Sequence, residues 1–419
     1  MFSEKISVIV LATFFFITMA FAAAFYEIKL IFYIGLILYV VIQILMGNRS
    51  VPRQVLYLLP WYSYFTFSLL LGVSFGYSID FELISNYFFI PISAALMAAL
   101  VDSEKKVKFL KNALIVIALL ICLLNLFFII NGVFKFDLTF FDNPAFGSVV
   151  ISDETIEFRS TSHPALMFLL PYMLVLYFYS EGNTFFEDRL ILITLLISVF
   201  VILLSGRRAL QLVFILSLSI IYLFRLFSLS GKRRSLRFVR TKLFSIALFL
   251  IMVSFLPIAL SYFLGMDDVI SSILETFTSA FKTDNASGAV RLEQSIALLN
   301  GFYDSPLVGN GLNSFAKSCI RSKENPWSYE MTYLALLFQT GLSGFIVFFI
   351  YCYKVASANF RSYSKSIGSH KNFFLGVFAG VVAYIFVGSS NPMVYYIWFW
   401  SISLIAFNPS LSNNKSQSV

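Results

Sequence analysis

The feature that most constrains the fold is a series of apolar runs, each long enough to cross a lipid bilayer. A transmembrane helix needs about 20 mostly apolar residues, and backbone in lipid must satisfy its hydrogen bonds within helices or closed barrels. Barrel strands are only about 10 residues long and alternate in period two, which these runs do not. The candidate spans are 6–25, 28–46, 55–76, 87–101, 113–130, 164–180, 190–204, 209–227, 243–264, 330–353, 373–388 and 393–407.

The composition points to the same class of protein. Apolar residues make up 59% of the 419 residues and charged residues 12%, and the mean hydropathy is +0.84. A soluble domain carries about 25% charged residues, so this chain lacks the polar material to cover a soluble fold. We therefore predict an all-α polytopic membrane protein of about 12 transmembrane helices, with residues 1–419 as a single transmembrane domain. We expect the first run to be a span and not a cleavable signal peptide, because a second run follows almost at once.

Basic residues indicate the orientation. Lys and Arg concentrate in 102–112, 228–242 and 354–372, which all lie on one side of the proposed topology. By the positive-inside rule this side is cytoplasmic, so both termini are predicted to face the cytoplasm. The net charge of +8 then needs no nucleic acid partner, because membrane lipid with anionic head groups accounts for it.

Two outer connections are long, 131–163 and 265–329, whereas the others are short. Long loops in a compact protein are usually functional or disordered. In the second loop, apolar residues recur at helical spacing in 269–281 and again in 292–299. This pattern predicts two amphipathic helices on or near the outer membrane surface.

Several kinds of site are not expected. The two histidines, His163 and His370, fall on opposite sides of the membrane, and no two of the three cysteines are plausibly paired. Nucleotide and zinc motifs are missing. We therefore predict no disulfide, no metal and no cofactor, so energy must come from the substrate or from a gradient.

The sequence SGRRA places Arg207 and Arg208 in a tight connection close to the hydrocarbon on the outer side. Charged groups at membrane depth are costly and are functional by default. A guanidinium suits phosphate because its planar donors bind in pairs and it never deprotonates. The alternative is a pair of arginines that reach up to the interface without binding anything.

Arg159 and His163 lie in FRSTSHPA, just before the span that begins at Pro164. The functional interpretation is an arginine that binds an anionic ligand beside a histidine that transfers a proton. The alternative is an ordinary interfacial loop.

Arg291 begins one of the predicted amphipathic helices, and Glu330 opens the span 330–353. A partly desolvated carboxylate at the outer end of a membrane helix can be a general base. The alternatives are a solvated helix face for Arg291 and a charge favoured by the helix dipole for Glu330.

Taken in order, these motifs resemble the O-antigen polymerase and O-antigen ligase superfamily of bacterial envelope glycosyltransferases. SGRRA looks like the short Ser/Gly–Arg motif of the family, and Arg291 followed by PLVGNG (306–311) looks like its arginine helix and glycine turn. Glu330, Tyr333 and Leu334, with Gly341 and Gly344 after them, complete the likeness. Ligases typically carry a histidine where Glu330 stands, and this departure favours a polymerase.

The resemblance implies a GT-C-like fold and action on undecaprenyl-pyrophosphate-linked oligosaccharides at the periplasmic face of the inner membrane. It implies Glu330 and His163 as catalytic residues. A protein that regulates chain length is a further partner to consider. The substrate ligands implied are Arg159, Arg207, Arg208, Arg291 and Tyr333.

The mechanism expected from the resemblance is a metal-independent, inverting displacement of undecaprenyl pyrophosphate by a sugar hydroxyl. Arginines would stabilise charge on the pyrophosphate, and a base would take the hydroxyl proton. Two other functions stay open. A ligase would transfer the finished polymer to lipid A–core, and a flippase would carry the lipid-linked oligosaccharide across the membrane.

Overall fold

The structure is a computed structural model and describes residues 2–47, 57–134, 143, 146–151, 156–179, 184–205, 207–228, 286–320, 322–366, 369–389, 396–408 and 411. Within these ranges the chain forms a bundle of helices with one small β-hairpin. The elements are α1 (Phe2–Ala20), α2 (Tyr26–Leu45), α3 (Leu59–Ser74), α4 (Phe81–Ile84), a π-helix (Ser85–Phe89), α5 (Ile90–Ala98), α6 (Glu104–Phe134), β1 (Gly147–Ile151), β2 (Ile156–Ser160), α7 (His163–Phe178), α8 (Phe185–Leu204), α9 (Arg208–Ser228), α10 (Ala286–Asp304), α11 (Thr332–Lys365), α12 (Ser369–Val387), α13 (Ile397–Leu404) and a 3₁₀-helix (Ile405–Phe407).

The helices agree with the apolar runs of the sequence. By length and composition, 5 helices among the described residues can cross a membrane, and shorter apolar helices accompany them. Every candidate span except 243–264 falls on a helix, and 243–264 lies outside the described residues. The prediction of an all-α polytopic membrane protein is confirmed.

Three details differ from the expectations. Helix α6 begins at Glu104 and α11 continues to Lys365, so much of 102–112 and 354–372 is helical and not loop. The loop 131–163 contains the hairpin β1–β2, which was not predicted. In 265–329, α10 covers 292–299 but begins earlier, at Ala286, whereas 269–281 lies outside the described residues.

Helices α7 and α12 pack closely and run antiparallel. Gly376 lies against Tyr172, and Gly380 lies against Phe168, where an added Cβ would come within 2.8 Å of the phenyl ring. Small residues let membrane helices approach in this way. Because residue numbers rise along one helix as they fall along the other, the end of α12 lies beside the start of α7 at His163.

The two ends of the bundle carry different kinds of basic residue. Tyr333 donates its hydroxyl to the carbonyl of Ile385, so the start of α11 lies at the end of the bundle where α7 begins. This end is named the arginine end, because it holds the predicted arginines described below.

The opposite end is named the lysine end. There Lys111, only 1% exposed, pairs with Glu187 at 3.4 Å, and His370 pairs with Glu104 at 3.2 Å. A buried lysine needs such a partner to offset the loss of solvation, so these pairs hold α6 against α8 and α12.

Candidate functional site

The hairpin brings two of the predicted arginines to the same region. Arg159 is exposed on β2, opposite Ser148 of β1. Phe158, the residue before it, donates its backbone N–H to the carbonyl of Ser205 at 3.0 Å. This bond ties β2 to the connection between α8 and α9, where Arg207 donates its backbone N–H to the Ser205 hydroxyl at 3.3 Å. Arg159, His163 and Arg207 together are named the hairpin site.

His163 is the buried member of the hairpin site. It opens α7, with Pro164 in the first turn, and is 2% exposed. Within the described residues, neither ring nitrogen has a hydrogen-bond partner. Arg207 lies close enough to act on the imidazole electrostatically. Burial first, and the positive charge of Arg207 second, both disfavour a protonated imidazole, so His163 is poorly placed to accept a proton.

A polar network fixes the turn between β2 and α7. The buried Asn125 of α6 donates from its amide to the Ser162 hydroxyl at 2.7 Å, and the hydroxyls of Ser162 and Ser160 lie 2.9 Å apart. Asn125 was not among the residues predicted from the sequence. Its signal was a polar residue inside the apolar run 113–130, which is costly unless it has a partner or a role.

Arg291 and Glu330 form an ion pair. The Arg291 Nε lies 3.0 Å from the Glu330 Oε2, and the two side chains are 40% and 27% exposed. Arg291 is on α10, and Glu330 precedes α11, so the pair joins the large loop to the bundle. Both residues were predicted, but separately. Glu330 does not open the helix as expected, since α11 begins at Thr332. The pair is named the loop site.

The segment before Glu330 is held by polar contacts that the sequence analysis did not identify. The indole of Trp327 donates to Asp80 Oδ2 at 2.9 Å. The buried amide of Gln339 donates to the carbonyls of Ser314, at 3.0 Å, and Trp327, at 3.2 Å. Because Trp327 is fixed at both its side chain and its backbone, the position of Glu330, three residues later, is constrained.

Tyr329 is not a second candidate base. It is buried, and its hydroxyl accepts the backbone N–H of Ala316 at 2.8 Å. Burial raises the pKa of Tyr329 to about 12, so the phenol keeps its proton at neutral pH.

The glycine turn 306–311 packs into a break in α11. Gly341 has φ +63°, which interrupts the helix, and the freed N–H of Leu342 donates to the Pro306 carbonyl at 2.9 Å. Asn310 in turn donates its N–H to the Phe338 carbonyl at 3.0 Å. A broken helix at membrane depth needs such substitute partners. The turn therefore fixes the first segment of α11, just after Glu330.

Two of the predicted substrate ligands, Arg208 and Tyr333, are not grouped with the hairpin site or the loop site. Arg208 begins α9, and its side chain lies outside what the structure describes. Tyr333 packs its ring against Phe348 and Phe349 and gives its hydroxyl to Ile385. Its contacts link α11 to α12, and its role as a substrate ligand stays a prediction.

The hairpin site and the loop site together offer guanidinium donors and two ionisable groups, the imidazole of His163 and the carboxylate of Glu330. Guanidinium groups supply paired donors for phosphate oxygens, and the Glu330 carboxylate can accept a proton. Among the residues that the structure describes, no group of three or more His, Cys, Asp or Glu side chains could hold a metal ion. The chemistry that these residues can perform is charge stabilisation combined with proton transfer.

Comparison with known proteins agrees with the motifs. A family model described as O-antigen ligase matches residues 193–349, a segment that contains Arg207, Arg291 and Glu330 but not Arg159 or His163. No curated protein matches the chain. The family match therefore confirms the likeness indicated by the motifs, to the O-antigen polymerase and ligase superfamily.

Proposed function

We propose that this protein is a polymerase that joins undecaprenyl-pyrophosphate-linked oligosaccharide repeat units at the periplasmic face of the bacterial inner membrane. The observation that carries the proposal is the loop site, where Glu330 lies 3.0 Å from Arg291. Ligases of the superfamily that the chain resembles typically carry a histidine at this position, so a carboxylate favours the polymerase. Ligase activity is the second candidate, because the matching family model is described by that name.

The proposed reaction is a displacement at the anomeric carbon of the growing chain. A hydroxyl of the incoming repeat unit attacks this carbon, and a new C–O bond forms as the C–O bond to undecaprenyl pyrophosphate breaks. The hydroxyl proton passes to Glu330, and the pyrophosphate leaves with the bonding electrons. Attack opposite the leaving group inverts the configuration.

The arginines of the two sites are proposed to bind the pyrophosphate. Negative charge builds on the leaving group in the transition state, and donors already in position stabilise it without reorganisation. Guanidinium groups stay charged at any working pH and bind phosphate through paired donors. The reaction needs no metal in this scheme, because Arg207 and Arg291 supply the positive charge. A chain-length regulator protein is a proposed partner.

A deletion strain tests the function directly. Loss of a polymerase should leave lipopolysaccharide with single repeat units on core, whereas loss of a ligase or a flippase should leave none. The measurement is the lipopolysaccharide profile on a gel, with the wild-type gene restored as control. An unchanged lipopolysaccharide profile together with loss of a capsule or other polymer would mean that the enzyme polymerises that polysaccharide instead of O-antigen. Lipopolysaccharide core without any repeat units would refute the proposal that the protein is a polymerase.

The orientation is proposed from the basic residues. Reporter fusions at Lys232 and at Asn285 should report the cytoplasm and the periplasm, respectively, because basic loops are retained inside. Both termini are proposed to be cytoplasmic. A periplasmic signal at Lys232 would contradict the orientation.

A further inference from the structure

The buried face of α10 contains a polar residue without a partner. Gln294 is 0% exposed, and neither its amide nitrogen nor its amide oxygen has a hydrogen-bond partner within the part of the chain that the structure describes. The opposite face of this helix is apolar and exposed, with Leu292 at 57% and Ile296 at 52%. Gln294 is therefore an unpartnered amide on a face that also buries Ala297 and Leu298, where an apolar side chain would be more stable.

Gln294 lies beside the proposed base. It follows Arg291 by three residues, so the two side chains share a face of α10, and Arg291 contacts Glu330 at 3.0 Å. One turn further on, Leu298 packs in a cluster with Tyr329, the residue before Glu330. The amide of Gln294 thus lies between the two contacts that join α10 to the segment carrying Glu330.

The hydrogen-bonding capacity of the Gln294 amide indicates which kind of ligand this side chain suits. Native proteins leave few buried polar atoms without partners, and those that remain need an explanation. A carboxamide both donates and accepts, whereas a guanidinium only donates and a carboxylate only accepts. Sugar hydroxyls also donate and accept. Gln294 therefore complements a sugar ring better than it complements a pyrophosphate.

Access to Gln294 requires a small displacement of α10. The end of α10 nearest the glycine turn is anchored, because Asn310 donates its amide to the Gly301 carbonyl at 2.9 Å and Gly301 lies against the ring of Phe338. The other end is held by the partly exposed Arg291–Glu330 pair, and exposed ion pairs are weak. A pyrophosphate that binds Arg291 would release this end.

We propose that Gln294 binds a hydroxyl of the acceptor sugar next to Glu330, once α10 moves away from α11. This inference rests on the proposed function, because it assigns to Gln294 the positioning of the acceptor sugar in the proposed polymerisation. Gln294→Met is the informative variant, since it keeps the length of the side chain and removes both the donor and the acceptor. The matched control is Asn300→Leu, which removes an exposed amide from the same helix.

The experiment measures two properties of purified full-length protein in nanodiscs. Thermal unfolding should show a melting temperature for Gln294→Met equal to or above wild type, because a buried amide without partners is removed. Polymerisation of purified undecaprenyl-pyrophosphate-linked repeat units should show an acceptor KM raised by about tenfold or more, with kcat much less affected. Gln294→Asn should recover part of the loss, and Asn300→Leu should match wild type in both measurements.

The other outcomes overturn the inference. A raised melting temperature with wild-type kinetics would make Gln294 an unused buried amide. A lowered melting temperature with a proportional loss of activity would make it a structural residue, bridged by buried water. Failure of the proposed function is seen separately, because wild-type protein would then form no polymer from the same substrate.

Discussion

The hairpin site and the loop site lie at the same end of the bundle but hold different partners beside their arginines. In the hairpin site, the positive charge of Arg207 acts on His163, which is 2% exposed. In the loop site, Arg291 contacts the carboxylate of Glu330, and both side chains are partly exposed. The first arrangement accumulates positive charge around a buried ring, whereas the second keeps a proton acceptor within reach of a ligand. We infer that the hairpin site serves charge stabilisation and the loop site serves proton transfer.

The exposure of the loop-site pair explains how it could serve a reaction. A partly exposed ion pair contributes only about 0–1 kcal/mol to stability, so the Arg291–Glu330 pair does little to stabilise the fold. The same weakness means that a pyrophosphate can take Arg291 at little cost. Glu330 would then be released from its contact with Arg291.

The largest effect is expected at Glu330. Glu330→Gln removes the proton acceptor but keeps the size of the side chain, so chain extension should fall by at least about 100-fold. Glu330→Asp should keep part of the activity. The measurement is polymer length on lipopolysaccharide gels at matched protein level. Glu293→Gln, an exposed neighbour of Arg291 on α10, is the control. Polysaccharide chains of wild-type length from Glu330→Gln would show that Glu330 is not the general base.

The second largest effect on polymerisation is expected from substitution of the arginines. Arg207→Ala and Arg291→Ala should each lower polymerisation by about 100-fold, the usual cost of removing a preorganised donor. Lysine at either position should restore only part of the rate, because the paired donor geometry is lost. Arg189→Ala, which removes a guanidinium stacked on Phe185 at the lysine end, is the matched control. Arg208→Ala belongs in the same series, and full activity in both Arg207→Ala and Arg208→Ala would refute their role as pyrophosphate ligands.

A smaller effect is expected from the glycine turn that supports the loop site. Gly309 has φ +74°, and a Cβ there would lie 2.4 Å from the Gly341 nitrogen. Gly309→Ala should therefore cost about 2 kcal/mol of stability and lower activity by misplacing Glu330. Gly35→Ala is the control, because nothing lies within 4 Å of its added methyl. Equal melting temperatures for the two variants would show that the turn is not needed to hold α11.

Apolar runs predicted the helices well, because lipid leaves the backbone few alternatives to helix. The motifs also identified Arg291 and Glu330 as candidate site residues, and the structure places them in contact. Sequence could not predict that they pair, since 39 positions separate them and the turn at Gly309 brings them together. The hairpin left a weak signal in the alternation of Ile156 and Phe158 with charged residues, the period of a half-buried strand.

The smallest effect is expected at His163, and it decides how the two sites divide the work. If the hairpin site serves only charge stabilisation, His163→Ala should be milder than Glu330→Gln. His163→Leu should leave the melting temperature equal to or above wild type, because it removes buried nitrogens that lack partners in the described chain.

The competing outcome is a reversal of this order. If Glu330→Gln polymerises normally while His163→Ala and His163→Leu do not, the base belongs to the hairpin site, and Arg207 would have to move away before the imidazole could accept a proton. If all three variants polymerise normally, neither side chain is the base. Catalysis then rests on the arginines and on the positioning of the acceptor hydroxyl, which would make Arg207 and Arg291 more sensitive to substitution than Glu330.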